Sequence, residues 1–282
     1  MPFWKRRPKR LVSQPERKQR GIVFGIVSDV GRVRSSNQDR VFALLTSLPS
    51  PSGQLPLGLF VVADGMGGHT GGATASVRAI ETVTGYVLQN LLLPVIRGDT
   101  PEAIRDIMRM ATLEANRRIR QQALQEGNDM GTTLTASLVL GTRCYVAHVG
   151  DCRLYTYGPA GLESQTRDHS MVARLQELGQ ITAEEARHHP KRNYLYQSVG
   201  QQEEIEVDDP SLPLDDCSHL LLCSDGLWGS VEEKDMAQAL AEGGDPQEIC
   251  ERLLAQANAA GGEDNISVIV VALPQTASQP NR

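Results

Sequence analysis

The stretch LFVVADGMGG, residues 59–68, decides the fold, because an apolar run typical of a buried strand ends there in Asp64 and a glycine-rich turn. An aspartate beside a strand-like run recurs in YVAHVGDCR (145–153), LLLCSDGLW (220–228), GGEDNISVIVV (261–271) and SDVGRVRSSNQDR (28–40). Acids placed where buried strands reach the surface can converge at one rim of a sheet. Several such carboxylates, without competing Cys or His ligands, predict an oxygen-ligand site for hard divalent cations.

The chain of 282 residues is long enough for one large domain or two small ones and for a sizeable core, and we see no internal break in it. Its five cysteines are odd in number and lack CxxC spacing, which argues against a disulfide framework or a zinc site. A reducing cytoplasm fits this cysteine usage best. No run reaches the roughly 18 apolar residues of a membrane-spanning helix, and the start lacks an apolar signal segment.

Basic charge is concentrated at the beginning of the chain. Residues 1–20 hold eight Lys or Arg and one acid, so they carry +7 and the remainder carries −13, which together give the −6 of the whole chain. Three prolines interrupt any helix there. We expect a flexible basic arm over 1–20, a catalytic domain over 21–273 and a flexible tail over 274–282. The arm is either a solvated tail or a ligand for anionic lipid, nucleic acid or the domain's own acidic face.

Hydrophobic periodicity predicts two helix pairs among many antiparallel strands. A Pro- and Ser-rich stretch over 45–58 indicates a hairpin loop, and the polar region over about 167–200 indicates a mobile flap. The fold class is therefore α+β, a four-layer α/β/β/α sandwich of two antiparallel sheets flanked by helix pairs. The predicted helices are 72–93, 101–125, 171–178, 232–242 and 245–258, and the main predicted strands begin at residues 21, 41, 57, 132, 143, 153, 219 and 266.

Eight motifs in order resemble one known family: RSSNQD, VVADGMGGH, GTTLTA, VGDCRLY, TRDHS, HHPKRNYLYQSVG, LCSDGLW and EDNISVIV. They resemble the bacterial branch of the metal-dependent serine/threonine protein phosphatases, the type-2C family, from about Gly21 to Ala272. The resemblance implies hydrolysis of phosphoserine and phosphothreonine by a water or hydroxide that bridges two Mn²⁺ or Mg²⁺ ions. It also implies phosphorylated proteins, the substrates of a serine/threonine kinase, as partners. We expect a monomer and no stable nucleic-acid complex.

The metal ligands follow from the strand-end acids and from the resemblance together. Two cations about 3.5 to 4 Å apart need a bridging carboxylate, and Asp64 is the choice on both grounds. The backbone carbonyl of Gly65 is expected to contact one metal, while Asp225 and Asp264 complete the shell of the other. Asp151 resembles the ligand of a third, weaker metal shared with Asp225, although a plain hairpin-turn aspartate is the alternative.

Asp39 and Arg34 are weighed differently. Asp39 resembles a position near the metals, acting directly or through water, and Gln38 stands beside it where many relatives have Glu, so direct ligation is left open. Arg34 resembles the arginine that binds the phosphate, and a guanidinium fork suits two phosphoryl oxygens. Arg32 is a rival for this role, and an exposed turn residue is the alternative for either arginine.

Histidines are the candidate proton donors. His69, which closes DGMGGH, either contacts the phosphate or only marks a helix start. His189, with His188 in the flap, is a candidate donor to the leaving oxygen of the substrate. Met66 stands where eukaryotic relatives carry the histidine proposed as the general acid, so that role does not transfer. His148 alternates with core positions of a strand and is expected to be structural.

Two other functions were weighed against the phosphatase. A sensor module of the same fold would bind phosphoproteins without efficient turnover, and we expect it to have lost metal aspartates that this chain retains. A different metal hydrolase, acting on nucleic acid or small phosphoesters, would carry more basic residues within the acidic motifs. Neither displaces the phosphatase prediction.

Overall fold

The computed structural model describes residues 21–50, 53–68, 71–100, 103–182, 185–186 and 189–274. The basic arm over 1–20 therefore lies outside the described residues. The strands are β1 (Val23–Asp29), β2 (Arg40–Ser50), β3 (Gly53–Ala63), β4 (Gly65–Met66), β5 (Gly131–Thr132), β6 (Leu134–Leu140), β7 (Arg143–Val149), β8 (Arg153–Gly158), β9 (Gly161–Ser164), β10 (Ser211–Pro213), β11 (His219–Cys223) and β12 (Ile266–Ala272). The helices are α1 (Gly71–Val87), α2 (Leu93–Arg97), α3 (Ile104–Glu126), α4 (Met171–Glu177), α5 (Asp225–Trp228), α6 (Glu233–Ala241) and α7 (Pro246–Ala259).

Two five-stranded antiparallel sheets carry the fold. The first has the order β1-β12-β11-β8-β9 and the second β10-β7-β6-β3-β2, while β4 and β5 form a separate two-stranded ribbon. Helices α1 and α3 pack on the second sheet, and α6 and α7 pack on the first. Side chains of both sheets meet in a third apolar cluster between them. The predicted α/β/β/α sandwich is confirmed.

Strand β3 shows why its sequence is apolar without alternation. Leu57, Leu59 and Val61 face the helix pair, whereas Phe60 and Val62 face the opposite sheet. Because successive side chains of a strand point to opposite faces, a strand between two apolar layers must be apolar at every position. Burial on both faces thus accounts for the continuous apolar runs of the sequence.

The hairpin before Asp64 differs from the prediction. In place of a loop over 45–58, β2 and β3 stay paired as far as Ser50 opposite Gly53. Pro49 is tolerated because β2 is an edge strand. Pro56 directly precedes Leu57, the first β3 residue that pairs with β6. The missing N–H of Pro56 therefore costs no hydrogen bond to β6. These prolines lie at unpaired strand edges, so the prediction of a loop over 45–58 was wrong.

The first predicted helix also runs further than expected. After α1 the chain passes through a π-helical segment, Leu88–Leu92, into α2, which ends at the left-handed Gly98. Pro94 falls in the first turn of α2, where its missing N–H is tolerated. The stretch Gly71–Arg97 has the length and composition of a membrane span. However, Ala75, Ala79 and Val83 pack within the core, as in a core helix.

Antiparallel pairing brings the strand ends of the site together. In the second sheet the start of β2 pairs with the end of β3 (Arg40 opposite Ala63). In the first sheet Cys223, the last residue of β11, pairs with both Val268 of β12 and Arg153 of β8. Residues just outside these ends, including Asp64 and Asp225, are thereby placed at one edge of the sandwich.

Candidate active site

A cavity of about 490 Å³ lies at this edge, and four of the five predicted acids line it. We call Asp64, Asp151, Asp225 and Asp264 the acidic rim. Arg34 and Gly65 line the same cavity. The structure therefore brings together residues that lie up to 230 positions apart in sequence.

Asp64 is fixed by its own backbone. Its N–H donates to Thr133 Oγ1 at 3.0 Å, and its carbonyl accepts from the Thr133 N–H and from Thr132 Oγ1, both at 2.8 Å. The next residue must be glycine, because a Cβ on Gly65 would collide with the carbonyl of Gly72 in the first turn of α1. These contacts hold the aspartate backbone at the cavity wall.

Asp225 begins the short helix α5, directly after Ser224, which follows β11. The Oδ1 atom of Asp225 is buried and has no hydrogen-bond partner. A buried carboxylate oxygen without a partner is costly unless an ion or water satisfies it. A cation bound in the cavity would satisfy this atom.

Burial, followed by the charges of neighbouring carboxylates, raises the pKa values of Asp64, Asp151 and Asp225. Burial raises the pKa of Asp64 well above its usual range, and the charges of Asp39 and Asp225 add to the rise. Burial likewise raises the pKa of Asp225, with Asp151 as the next cause. The pKa of Asp151 rises to about 7, mainly through burial and then through Asp168. Acids in this state gain most from bound cations, which remove their mutual repulsion.

Asp39 lies behind the cavity wall. It is 1% exposed and accepts a hydrogen bond from Ser224 Oγ at 2.7 Å, while its Oδ1 has no partner. Burial raises its pKa. Among the described residues, the cavity wall includes its neighbour Gln38 in its place. This placement favours an indirect role for Asp39, which contacts Ser224, the residue directly before Asp225.

Arg34 reaches the acidic rim directly. Its Nη2 lies 2.6 Å from Asp264 Oδ2, and this hydrogen bond raises the arginine pKa. Its rival Arg32 donates its backbone N–H to the Gly262 carbonyl and is absent from the described cavity wall. The geometry thus favours Arg34 as the residue facing a bound phosphate.

Asp151 lies in the turn between β7 and β8, above a stacked pair of side chains. Arg153 binds Asp168 through two hydrogen bonds, of 3.0 and 2.8 Å, and its guanidinium lies 3.7 Å from the centre of the Trp228 ring. The Trp228 Nε1–H donates to the Asp151 carbonyl at 2.9 Å. Arg153 is thus paired with Asp168, and Asp151 itself lines the cavity.

The structure describes two of the four histidines considered above, His148 and His189. His69 and His188 lie outside the described residues. His189 is described, and its Nδ1 accepts from the Lys191 N–H at 3.1 Å, but the wall of the cavity within the described ranges does not include it. His148 is fully buried, and burial lowers its pKa to about 4. The expectation that His148 is structural agrees with this burial, whereas donation by His189 stays a prediction.

Some wall residues escaped the sequence analysis. The flap region contributes Asn193 and Leu195 to the cavity. Asn265, which follows Asp264, also lines it. An Asp-Asn pair before a strand was a signal for Asn265, but the same pair is common in ordinary turns. Nothing in the sequence of the flap distinguished Asn193.

The donor set fits a hard divalent cation, since it consists of carboxylate oxygens and backbone carbonyls. In the described part of the chain, no three Asp, Glu, His or Cys side chains form a complete cation site as they stand. Two of the predicted ligands already have protein partners, because Asp264 is paired with Arg34 and Asp39 accepts from Ser224. The unpartnered oxygen of Asp225 and the raised pKa values of Asp64 and Asp225 are the observations that favour a cation here.

Comparison with known proteins gives consistent matches. The family model for protein phosphatase 2C matches residues 32–257. The serine/threonine phosphatase stp of Listeria welshimeri is 35% identical over 248 residues, covering 86% of this chain and 93% of the relative. The Mycobacterium tuberculosis serine/threonine phosphatase PstP/Ppp superposes with a TM-score of 0.76 at 30% identity, covering 90% of this chain and all of that one. A structure of the PstP catalytic domain in complex with two manganese ions has a TM-score of 0.73, also at 30% identity, covering 90% of this chain and 98% of that one.

Proposed function

The chain belongs to the protein phosphatase 2C family and is a serine/threonine protein phosphatase, and from this premise we propose how its acidic rim removes phosphate from phosphoserine and phosphothreonine. The observation that carries the proposal is the meeting of Asp64, Asp151, Asp225 and Asp264 with Arg34 in one cavity. Phosphate monoesters hydrolyse extremely slowly without a catalyst. A cavity for this reaction must therefore neutralise phosphoryl charge and supply an attacking water.

Asp64, Asp225, Asp264 and the Gly65 carbonyl are the proposed ligands of two Mn²⁺ or Mg²⁺ ions, and Asp151 with Asp225 is the proposed ligand pair of a third. When bound, such ions supply Lewis acidity and activate water for in-line attack on phosphorus. The relative that was solved with two manganese ions supports this choice of cofactor. The Asp225 Oδ1 without a partner supports it independently, from the chain itself.

Arg34 is the proposed phosphate ligand. Its guanidinium is about half exposed, so a substrate can reach it, and it lies against the acidic rim. Two parallel N–H groups can bind two phosphoryl oxygens while the scissile phosphorus faces the acids. Asp264 holds the guanidinium on this side of the cavity. A bound phosphate would compete with Asp264 for the Arg34 guanidinium, and a bound cation would compete with Arg34 for the Asp264 oxygen.

Gln38 sets the charge balance of the site. Its side chain is a neutral amide in the cavity wall, and its backbone N–H donates to Asn265 Oδ1 at 2.8 Å. Because Gln38 is neutral, the carboxylate of this pair of neighbours belongs to Asp39, which is buried. We therefore propose that Asp39 acts from behind the wall, by orienting Ser224 and the start of α5, without contacting a cation. A phosphorylated protein partner supplied by a kinase, a monomeric state and a cytoplasmic location stay predictions.

The test is hydrolysis of a phosphothreonine peptide by the purified protein. Activity is expected to disappear with EDTA and to return when Mn²⁺ is restored, because the rim acids need cations to act. Release of phosphate at the same rate in EDTA would refute the metal-dependent mechanism. Binding of the phosphopeptide without turnover in Mn²⁺ would instead indicate the sensor module.

A further inference from the structure

The Asn265 side chain is almost completely buried, at 5% exposure, and all of its hydrogen bonds go to one loop. Its Nδ2 donates to the carbonyls of Val30 and Ser36, both at 3.0 Å, and its Oδ1 accepts from the Gln38 N–H at 2.8 Å. An amide is the side chain of this size that offers two donors and one acceptor. The requirement at this position is thus for asparagine, and aspartate or serine would not meet it.

These three bonds flank Arg34. Val30 lies four residues before it, Ser36 two residues after it and Gln38 four residues after it. The loop is also held on its other side, where the Arg32 N–H donates to the Gly262 carbonyl at 2.8 Å. A Cβ on Gly31 would collide with the carbonyl of Asp264. The loop that carries Arg34 therefore lies directly against residues 262–265.

The Asn265 backbone is tied to the metal side of the cavity. Its N–H donates to Asp264 Oδ1 at 2.9 Å, and its carbonyl lies so close to Gly226 that a Cβ on that glycine would collide with it. Asn265 therefore contacts Asp264 and Gly226 through its backbone and the loop that carries Arg34 through its side chain. Truncation of the side chain separates these two functions, because the backbone contacts remain.

We propose that the Asn265 side chain is a positioning residue, which holds Arg34 at the correct distance from the acidic rim to bind a phosphoryl group. This inference rests on the proposed function, since it gives Arg34 the phosphate. Without the side chain, Val30, Ser36 and Gln38 each lose a buried partner, and the Arg34 loop gains freedom. Phosphate affinity then falls while the carboxylates keep their positions.

The chain provides a matched control in Asn116 of α3. Its side chain is 3% exposed, and Nδ2 donates to the carbonyls of Gln202 and Glu203, at 2.9 and 3.3 Å, while Oδ1 accepts from the Gly200 N–H at 2.6 Å. Asn116 thus makes the same set of three bonds to a different loop. Asn116→Ala is expected to lower the melting temperature about as much as Asn265→Ala.

The experiment compares Asn265→Ala, Asn116→Ala, Arg34→Gln and the double variant Arg34→Gln with Asn265→Ala, all loaded with Mn²⁺. Asn265→Ala is expected to raise KM for a phosphothreonine peptide and Kd for inorganic phosphate roughly 10-fold, since small misplacements of a binding group are costly. In the Arg34→Gln background the same truncation is expected to change either constant less than about 2-fold, because residues that act through one another are not additive. The Mn²⁺ affinity of Asn265→Ala and the constants of Asn116→Ala are expected to stay near the wild-type values.

Equal effects of Asn265→Ala with and without Arg34 would overturn the inference, as would a parallel loss of Mn²⁺ affinity. If the alanine variant does not fold, Asn265→Asp serves, because it keeps the shape and the acceptor but loses both donors. Wild-type phosphate affinity in that variant would also overturn the inference. Calorimetry with phosphate needs no turnover. An inactive wild type would therefore refute the proposed function alone, whereas a wild type whose phosphate binding does not depend on Arg34 would refute the inference.

Discussion

The acidic rim and the flap segment, residues 167–200, both face the cavity, yet they are held in different ways. Each rim acid lies within two residues of a strand end, so the sheet ladders fix its backbone. The flap segment contributes Asn193 and Leu195 from a stretch that is joined to the core through isolated bridges, Ser170 to Leu195 and Thr132 to Val199. On the proposed function, the reaction chemistry is thus built on the rigid scaffold, and we expect contacts that vary between substrates to be built on the loop.

The largest expected effect lies at the centre of the rim. Asp64→Ala removes the proposed bridging carboxylate, and kcat/KM for a phosphothreonine peptide is expected to fall about 10³-fold or more, since metal stabilisation of a transition state is worth several kcal/mol. Steady-state kinetics in Mn²⁺ measure this. Near-normal activity of the variant at saturating Mn²⁺ would show that Asp64 is not a required ligand.

Arg34→Gln is expected to have the next largest effect. Hydrogen bonds to charged groups contribute about 1.5–3 kcal/mol each, so losing the guanidinium should lower kcat/KM roughly 10- to 100-fold. The variant should also bind Mn²⁺ more tightly, because Asp264 loses its ion-pair partner. Titration of Mn²⁺ by electron paramagnetic resonance tests the second effect. Arg32→Gln is the matched control, and a comparable loss of activity in it would shift the phosphate role to Arg32.

The pH dependence of stability in the metal-free protein tests the acidic rim separately from the rest of the fold. Folded-state pKa values above the unfolded values mean that the folded protein binds more protons, so stability is highest at low pH and falls as pH rises through that window. For Asp151 the window runs from about 4 in the unfolded chain to about 7 in the folded protein, and Asp64 and Asp225 titrate in the same direction. In EDTA, the melting temperature should therefore decrease between these pH values.

Asp64→Asn should flatten this pH dependence in EDTA and should make the metal-free protein more stable at pH 7 than the wild type. Added Mn²⁺ should reverse the order, since a ligand present at 100 times its Kd stabilises a protein by about 2.7 kcal/mol. Thermal unfolding followed by circular dichroism measures both effects. A wild type that gains stability in EDTA as pH rises would show that the rim carboxylates do not repel one another.

The sequence predicted the rim far better than it predicted the flap, and the reason is physical. An apolar run that ends in an acid carries information about burial and about the sheet edge, so Asp64 and Asp225 could be placed before any coordinates were known. The depth of Asp39 could not be predicted, because it depends on how Ser224 packs behind the wall. Prolines in the β2–β3 hairpin were misread, since sequence does not reveal which strand edges stay unpaired.

The flap lacks such a signal. Its polar composition was compatible with any of its side chains reaching the cavity, and the histidines were chosen for their chemistry. Among the described residues of the flap, the structure places Asn193 and Leu195 in the wall. The same limitation hid Asn265, whose importance comes from three bonds to residues about 230 positions away. Such long-range hydrogen bonds have no periodicity that a sequence could display.

Asn193→Ala is expected to have the smallest effect and gives the most direct test of the comparison. Asn193 is exposed and forms part of the cavity wall, so its loss should leave the acidic rim and Arg34 unchanged. Activity on a small phosphoester such as para-nitrophenyl phosphate should stay at the wild-type level. Activity on phosphothreonine peptides should change about 2- to 5-fold in KM, the size of a single neutral hydrogen bond of about 0.5–1 kcal/mol. A large loss on both substrates would place Asn193 in the chemistry itself, and the division between a catalytic rim and a substrate-contacting flap would then be wrong.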